Sequence, residues 1–210
     1  MKEKKIQFFA QDTNRFYQLF PTKTIPTLKI SAVPMHRYVH TDPLTDTKSK
    51  IMMLRPSGIV LDTCTGLGYT AIYSAKKHEV IKVITAEKDV NVLMMAEIND
   101  ASKELFENQK IEIVLADVSE MIKEFPSCSF NCILHDPPTF VMAPELYNIE
   151  FYKELYRVLR NKGRLWHYCP APGKLKGRRP LREKVALLLK RTGFRNVRYD
   201  EASSGIISEK

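Results

Sequence analysis

From residue 58 onward, short apolar runs alternate with segments of helical character, and four of the apolar runs end in an acidic residue. Helical segments at 70–77 and 90–106 separate the first three runs. Repeated strand–helix units predict a mostly parallel sheet with helices on both faces. In such a sheet the carboxyl ends of the strands meet at one edge, where ligands bind. The four predicted strands are Gly58–Asp62, Val80–Glu87, Ile111–Asp117 and Phe130–Asp136.

The last third of the chain continues this pattern. Apolar residues at helical spacing predict a helix over 148–160 that is capped at 161–163. A strand at 164–169 and a helix from Leu181 to a stop at Gly193 follow, and the tail 194–210 predicts two strands joined at 203–205. The sequence therefore predicts an α/β fold, a Rossmann-like, doubly wound, mostly parallel sheet of seven strands.

The first 50 residues lack a clean hydrophobic period. Prolines interrupt short apolar runs there, so we predict an N-terminal extension with room for two short strands. The α/β domain is expected to occupy residues 51–210. The interrupting prolines are Pro21, Pro26, Pro34 and Pro43.

Composition excludes several classes of protein. No apolar run approaches the roughly 20 residues that span a bilayer, and the basic residues 1–5 lead into no apolar signal-peptide core. Four scattered cysteines suit a reducing cytosol, so we expect a cytoplasmic protein. We expect no metal site, because no His or Cys group has the spacing of a ligand set. The oligomeric state is left open.

Positive charge is concentrated near the carboxyl end of the chain. The formal net charge is +9, and residues 174–198 hold ten Lys or Arg against one acid, Glu183, so the rest of the chain sums to about zero. Such a segment attracts the phosphates of a nucleic acid. The alternative is a solvated helix face beside a basic loop.

The predicted strand ends carry groups that suit a nucleoside. Gly66 and Gly68 follow the first strand and let the backbone turn tightly near a ligand. Glu87 stands 19 positions after Gly68, about the distance at which an acid reaches a ribose diol, and Asp117 can accept from an adenine amino group. Each group has a structural alternative, because acids at strand ends also cap helices and glycines also form turns.

These motifs resemble those of the class I S-adenosylmethionine-dependent methyltransferases. The likeness runs from about residue 30 to the end. Three runs are similar to a predicted archaeal-type methyltransferase family: Met35-His36-Arg37, the loop and helix start from Asp62 to Ile72, and Asp-Pro-Pro-Thr-Phe at 136–140. One departure is Cys64, which replaces the first glycine of the common Asp-x-Gly-x-Gly-x-Gly pattern. The resemblance implies S-adenosylmethionine as cofactor, S-adenosylhomocysteine as product, and an N-terminal lid over the cofactor site. The implied cofactor-binding residues are Asp62, Thr63, Cys64, Gly66, Gly68, Tyr69, Glu87, Lys88, Asp117, Val118 and Asp136.

The run at 136–140 suits an amine acceptor. Prolines donate no backbone hydrogen bond, so Asp136 and the carbonyl of Pro137 present acceptors only. Phe140 can stack on a planar base. We therefore predict methylation of a nucleobase nitrogen in RNA. The expected catalytic residues are Asp136, Pro137, Pro138 and Phe140, and the expected substrate-binding residues are His36, Arg37, Thr139, Lys174, Arg178 and Arg179, with Lys176 beside them.

Other functions stay open at this point. A small amine can replace RNA as acceptor, and a carbon-5 pyrimidine methyltransferase would use Cys169 as nucleophile, although a buried structural thiol is the commoner state. A dinucleotide-binding oxidoreductase is a distant alternative, because Gly66 to Ala71 also satisfies Gly-x-Gly-x-x-Ala. A non-catalytic nucleotide-binding module is the other distant alternative.

Overall fold

A computed structural model describes residues 5–170 and 180–210. Seven strands form a central sheet in the order β10-β11-β9-β8-β5-β6-β7. Strands β5 to β9 run parallel, whereas β10 and β11 form an antiparallel hairpin that joins β9. The predicted α/β, mostly parallel, seven-stranded fold is confirmed. The strands are β5 (Gly58–Asp62), β6 (Val80–Glu87), β7 (Ile111–Leu115), β8 (Phe130–His135), β9 (Leu159–Tyr168), β10 (Arg195–Asp200) and β11 (Gly205–Glu209).

Seven helices accompany the strands in the described residues. Two apolar clusters lie on opposite faces of the central sheet, one containing residues of α1 to α4 and the other containing residues of α5 to α7. The chain winds in one direction from β5 to β7 and in the other from β8 onward, so β5 and β8 flank the switch point where ligands bind. The helices are α1 (Pro43–Leu54), α2 (Tyr69–Ala75), α3 (Val90–Glu97), α4 (Lys103–Glu107), α5 (Val118–Glu124), α6 (Ile149–Val158) and α7 (Leu181–Thr192).

The N-terminal segment is more ordered than its sequence suggests. It forms an antiparallel four-stranded sheet followed by α1, where we predicted two short strands. The prolines made these elements hard to recognise in the sequence because they lie at element boundaries. Pro21 and Pro26 lie between strands, and Pro43 opens α1 directly after its cap Asp42. Helix α1 also continues past residue 50, where we predicted the N-terminal extension to end. The strands are β1 (Gln7–Ala10), β2 (Arg15–Phe20), β3 (Thr27–Ile30) and β4 (Val33–Pro34).

Two predicted helix boundaries are wrong. The helical pattern at 90–106 is divided, because Asn99 caps a separate 3-10 turn between α3 and α4. Helix α6 ends at Val158, and Gly163 lies inside β9 instead of capping the helix. Nζ of Lys210 donates to the carbonyls of Tyr156 at 2.6 Å and Leu159 at 2.8 Å, so a distant lysine satisfies this helix end.

The predicted end of α7 is confirmed. Gly193 adopts a φ of 114° as its C-cap, a conformation that glycine reaches without strain. Among the helices of the described residues, none has the length and apolar character that crossing a bilayer requires.

Candidate active site

The carboxyl ends of β5, β6 and β8 line one cavity, which we call the inner cavity. The N-terminal sheet and the segment after it complete its walls, so the extension and the central sheet share one site. The residues that line the inner cavity include Leu28, Ile30, Met35, His36, Lys50, Cys64, Gly66, Tyr69, Glu87, Lys88, Asp136, Pro137 and Pro138.

Glu87 ties the first loop to the end of β6. Its Oε2 accepts from the backbone N–H of Gly66 at 3.0 Å, and its Oε1 accepts from those of Lys88 and Asp89 at 3.0 and 3.1 Å. Burial raises the pKa of Glu87, and the three amide donors oppose the rise. Oε1 accepts two of these bonds and Oε2 only one, so Oε2 keeps a lone pair for a further donor such as a ribose hydroxyl.

Asp62 lies behind the loop and is fully buried. Its Oδ2 accepts from the hydroxyls of Thr70 at 3.0 Å and Thr85 at 3.1 Å, while its Oδ1 has no hydrogen-bond partner in the described part of the chain. Burial raises the pKa of Asp62 to about 8. Asp62 does not line the inner cavity or the cavity that adjoins it, so it holds Thr70 and Thr85 behind the loop and contacts no ligand directly in this geometry.

The two glycines of the loop have different roles. Gly66 lines the inner cavity at a φ of 54°, and a Cβ added there would meet no atom within 4 Å. Gly68 has a φ of 78°, but a Cβ there would lie 2.5 Å from Cδ2 of Leu105. Gly68 does not line the cavity and permits close packing against α4, which corrects its expected contact with a ligand.

A narrow slot continues from the inner cavity past Glu87 toward the end of β7. Asp117 stands at its edge and caps α5, since its Oδ1 accepts from the N–H and hydroxyl of Ser119 at 2.9 and 2.7 Å. Lys88 Nζ lies 3.7 Å from Asp117 Oδ2. Apolar walls with a polar edge suit a flat heterocycle. The slot is lined by Thr63, Cys64, Ala86, Glu87, Lys88, Ala116, Asp117, Val118, Pro138, Ala143 and Leu146.

A second cavity of about 310 Å³, which we call the outer cavity, adjoins the inner one at Asp136 and Lys50. Residues 33–41 form much of its wall, and Pro137, Pro138 and Thr139 form another part. Tyr38 and Tyr168 supply aromatic rings. The expected substrate-binding residues His36, Arg37 and Thr139 therefore share this cavity with Asp136.

A chain of buried charges stands between the two cavities. Lys50 Nζ lies 2.6 Å from Oδ2 of Asp136 and 2.7 Å from Oδ2 of Asp46, and Arg37 reaches Oδ1 of Asp46 at 2.9 Å. Burial lowers the pKa of Lys50, but the two carboxylates outweigh burial and hold it above its usual value. Lys50 and Asp46 were not among the predicted site residues. Their i, i+4 spacing after the helix start at Asp42-Pro43 was the available signal.

His36 lies in the wall that the two cavities share. Its Nδ1 is 3.1 Å from the hydroxyl of Thr27, and its ring centroid is 5.1 Å from that of Tyr69. Burial, with the charge of Lys50, lowers the pKa of His36 to about 3, so the imidazole is neutral. Tyr69 in turn donates to the carbonyl of Pro26 at 2.9 Å and joins α2 to the N-terminal sheet.

Some predicted site residues lie elsewhere. Phe140 lines neither cavity, which corrects its expected stacking on the acceptor there: its ring packs edge-on against Tyr147, with Lys184 Nζ 4.9 Å from its centroid. Cys169 is fully buried and burial raises its pKa to about 12, so the thiol lacks the character of a nucleophile. Lys174, Lys176, Arg178 and Arg179 lie outside the described residues.

Known proteins share this architecture. Residues 39–186 match the family model of the methyltransferase small domain. The chain belongs to this family. It is therefore an S-adenosylmethionine-dependent methyltransferase, with S-adenosylmethionine as its cofactor. The oxidoreductase alternative is excluded by this membership.

Individual relatives agree with the family. The methyltransferase is 41% identical over 212 residues to the uncharacterized protein MJ1233 of Methanocaldococcus jannaschii, covering all of this chain and 72% of that protein. A spermidine synthase in complex with the transition-state analogue AdoDATO superposes with a TM-score of 0.76 at 18% identity, over 98% of this chain and 73% of the other. A SAM-dependent methyltransferase from Aquifex aeolicus superposes with a TM-score of 0.57 at 19% identity, over 79% and 90%. These two structures share the fold.

Proposed function

We propose that this methyltransferase acts on a nitrogen of a nucleobase in RNA. The observation that carries the proposal is the position of Asp136, whose side chain borders both cavities and is followed by two prolines. Lys50 occupies Oδ2 of Asp136, and the side chain is 20% exposed, so Oδ1 is available to an acceptor. A carboxylate and proline carbonyls accept hydrogen bonds and donate none, which selects an acceptor that carries N–H groups.

The residues of the inner cavity and the slot fit the cofactor. The open space above Gly66 and the fixed carboxylate of Glu87 are features that a bound nucleoside would explain. We assign Glu87 to the ribose hydroxyls, Asp117 with Val118 to the adenine, and the 62–69 loop to the methionine part. When bound, S-adenosylmethionine supplies an electrophilic methyl group.

The chain's own residues align the acceptor and exclude water. Asp136 Oδ1 and the Pro137 carbonyl accept from the acceptor's N–H groups, which directs the nitrogen lone pair toward the inner cavity. Asp136 receives the proton that the methylated nitrogen loses. His36 stays neutral and adds no charge repulsion between the two cavities. Burial at this junction keeps bulk water from competing for these hydrogen bonds.

Exposed cations on α7 and β10 favour an anionic substrate such as RNA, because they would attract its phosphates. They are Lys184, Lys190, Arg191, Arg195 and Arg198. Within the outer cavity itself, the charges of Arg37 and Lys50 are balanced by Asp46 and Asp136, and His36 is neutral.

A small amine is the second candidate acceptor. The outer cavity of about 310 Å³ has the size of a small-molecule site, and residues 33–41 wall it in.

We also propose that residues 1–50 act as a lid over the cofactor site, because Leu28, Ile30 and Met35 line the inner cavity. A cytoplasmic location agrees with four free cysteines.

Mass spectrometry of RNA nucleosides tests the proposal. RNA from cells with and without the gene is digested, and the purified protein with labelled S-adenosylmethionine is then used to restore the missing modification. We expect one methylated base to disappear and to return with the active protein only, not with Asp136→Asn. An unchanged nucleoside profile, with methyl transfer to amines in a metabolite extract, would replace RNA by the small amine.

A further inference from the structure

We propose that Lys50 is a positioning residue that fixes the Asp136 carboxylate in one orientation and so decides which acceptors can react. The proposal rests on the proposed role of Asp136 toward the acceptor. It gives the N-terminal helix α1 a direct part in the reaction, although α1 lies outside the four strand ends that bind the cofactor.

The groups packed around Lys50 hold its ammonium group in one position. Its side chain is 4% exposed, and its Nζ lies within 2.7 Å of one carboxylate oxygen each from Asp46 and Asp136. The rings of Trp166 and Tyr168 lie 5.5 and 5.8 Å from the same atom. A lysine is rarely buried without paired charges, and here the charges come from its own helix and from the acceptor loop.

The same network reaches the wall of the outer cavity. Asp46 is 1% exposed and holds Lys50 with one oxygen and Arg37 with the other. Arg37 also donates to the carbonyl of Ala202, in the turn between β10 and β11, at 3.2 Å. The orientation of Asp136 is therefore tied to the segment that encloses the acceptor and to the C-terminal hairpin.

Lys50 favours the ionised form of Asp136 at a site where burial works against charge. Burial raises the pKa of Asp136, and Lys50 is the principal group that lowers it. An ionised Asp136 accepts from an N–H group, whereas a protonated one would donate and misplace the nitrogen lone pair. The charged and titratable groups around Asp136 are Lys50 and Asp46 on α1, His36 and Arg37 after β4, Asp62 on β5, Cys64 after β5, Tyr147 before α6, and Tyr168 on β9.

Kinetics of Lys50→Met against Lys48→Met test the proposal. Lys48 lies on the same helix but is exposed, so it controls for the loss of a positive charge. We expect kcat of Lys50→Met to fall about 100-fold at neutral pH, as misplacement of a reacting group does. Because Lys50 also lines the inner cavity, the affinity of each variant for S-adenosylhomocysteine is measured by calorimetry and kcat is compared at saturating cofactor. The remaining rate should increase with pH, because Asp136 must then lose its proton without help from Lys50. Lys50→Arg should restore the flat pH profile of the wild type.

A carbon-13 NMR titration of the Asp136 carboxyl tests the same point without any acceptor. The signal is assigned by its loss in Asp136→Asn. In the wild type the carboxyl should stay ionised across neutral pH, and in Lys50→Met it should titrate there. Lys50→Gln retains a hydrogen-bond donor without charge and serves if Lys50→Met fails to fold. An Asp136 titration that is the same in wild type and Lys50→Gln would overturn the proposal.

The two readouts separate this inference from the proposed function. If RNA is not the substrate, the wild type transfers no methyl group to RNA, but the NMR result for Asp136 is unaffected. If RNA is the substrate and Lys50 has no positioning role, Lys50→Met and Lys48→Met share the wild-type pH profile.

Discussion

The inner cavity is assembled from successive strand ends and held by main-chain N–H groups, whereas the outer cavity is assembled from distant segments and held by buried side-chain charges. In the inner cavity, Glu87 accepts from three backbone amides of Gly66, Lys88 and Asp89. In the outer cavity, Asp136 depends on Lys50, which lies 86 positions earlier in the chain. Main-chain contacts make the inner cavity, the proposed cofactor side, less dependent on single side chains than the outer cavity, the proposed acceptor side.

The largest effect is expected from Asp136→Asn. Positioned acid–base groups contribute roughly 10²- to 10⁴-fold to rate. The amide of Asn would present an N–H donor at a position where the N–H group of the substrate needs a hydrogen-bond acceptor. We expect kcat to fall about 10³-fold while the Kd of S-adenosylhomocysteine, measured by calorimetry, is nearly unchanged. Equal losses in both quantities would show that the two cavities are not separate in function.

A pair of glycine substitutions comes next. Gly68→Ala introduces a Cβ 2.5 Å from Leu105 at a positive φ, and we expect it to lower the free energy of unfolding by about 2–4 kcal/mol. Gly66→Ala meets open space, so we expect only the backbone cost of about 1 kcal/mol. Urea unfolding measures both, and S-adenosylhomocysteine binding should be impaired by Gly66→Ala beyond its effect on stability. Similar unfolding costs would contradict the division between packing glycine and cavity glycine.

Glu87→Gln tests the main-chain contacts that hold the inner cavity. The neutral amide accepts at one atom only, so the loop loses part of its anchor and the bound ribose loses a charged partner. Hydrogen bonds to charged groups are worth about 1.5–3 kcal/mol, which corresponds to a loss of roughly 10- to 100-fold in cofactor affinity. The control is Glu145→Gln, which removes the surface partner of Lys88. We expect kcat at saturating cofactor to change little.

The last prediction concerns the pH dependence of stability through Asp62. Burial raises its pKa from 3.8 to about 8, so between these values the folded state keeps a proton that the unfolded state loses. The stability contributed by this group is complete below pH 3.8 and is lost as the pH rises through about 8. We expect the Tm of Asp62→Asn, relative to wild type, to increase over this range. A constant difference across the range would show that Asp62 is already ionised in the folded protein.

The hydrophobic pattern of each segment predicts the central sheet and the acidic residues at its strand ends. This is possible because each strand, with the acid that follows it, can be recognised from its own short stretch of sequence. Asp62, Glu87, Asp117 and Asp136 could be placed at one edge without knowledge of any long-range contact. Lys50 could not, since a lysine in a helical segment is usually solvated and its pairing with Asp136 exists only after folding. The surroundings of Phe140 could not be predicted for the same reason, because its neighbours Tyr147 and Lys184 are set by the packing of later segments.

The long separation between Lys50 and Asp136 also bears on biosynthesis. A ribosome that adds roughly 5–20 residues per second completes Lys50 about 4–17 s before Asp136. During that interval α1 holds an ammonium group that has only Asp46 beside it, and Tyr17 of the N-terminal sheet lacks Asp89, its partner 72 positions later. The acceptor pocket is consequently among the last parts to consolidate on the nascent chain, so a slow patch of codons between these residues would prolong exposure of the N-terminal strands.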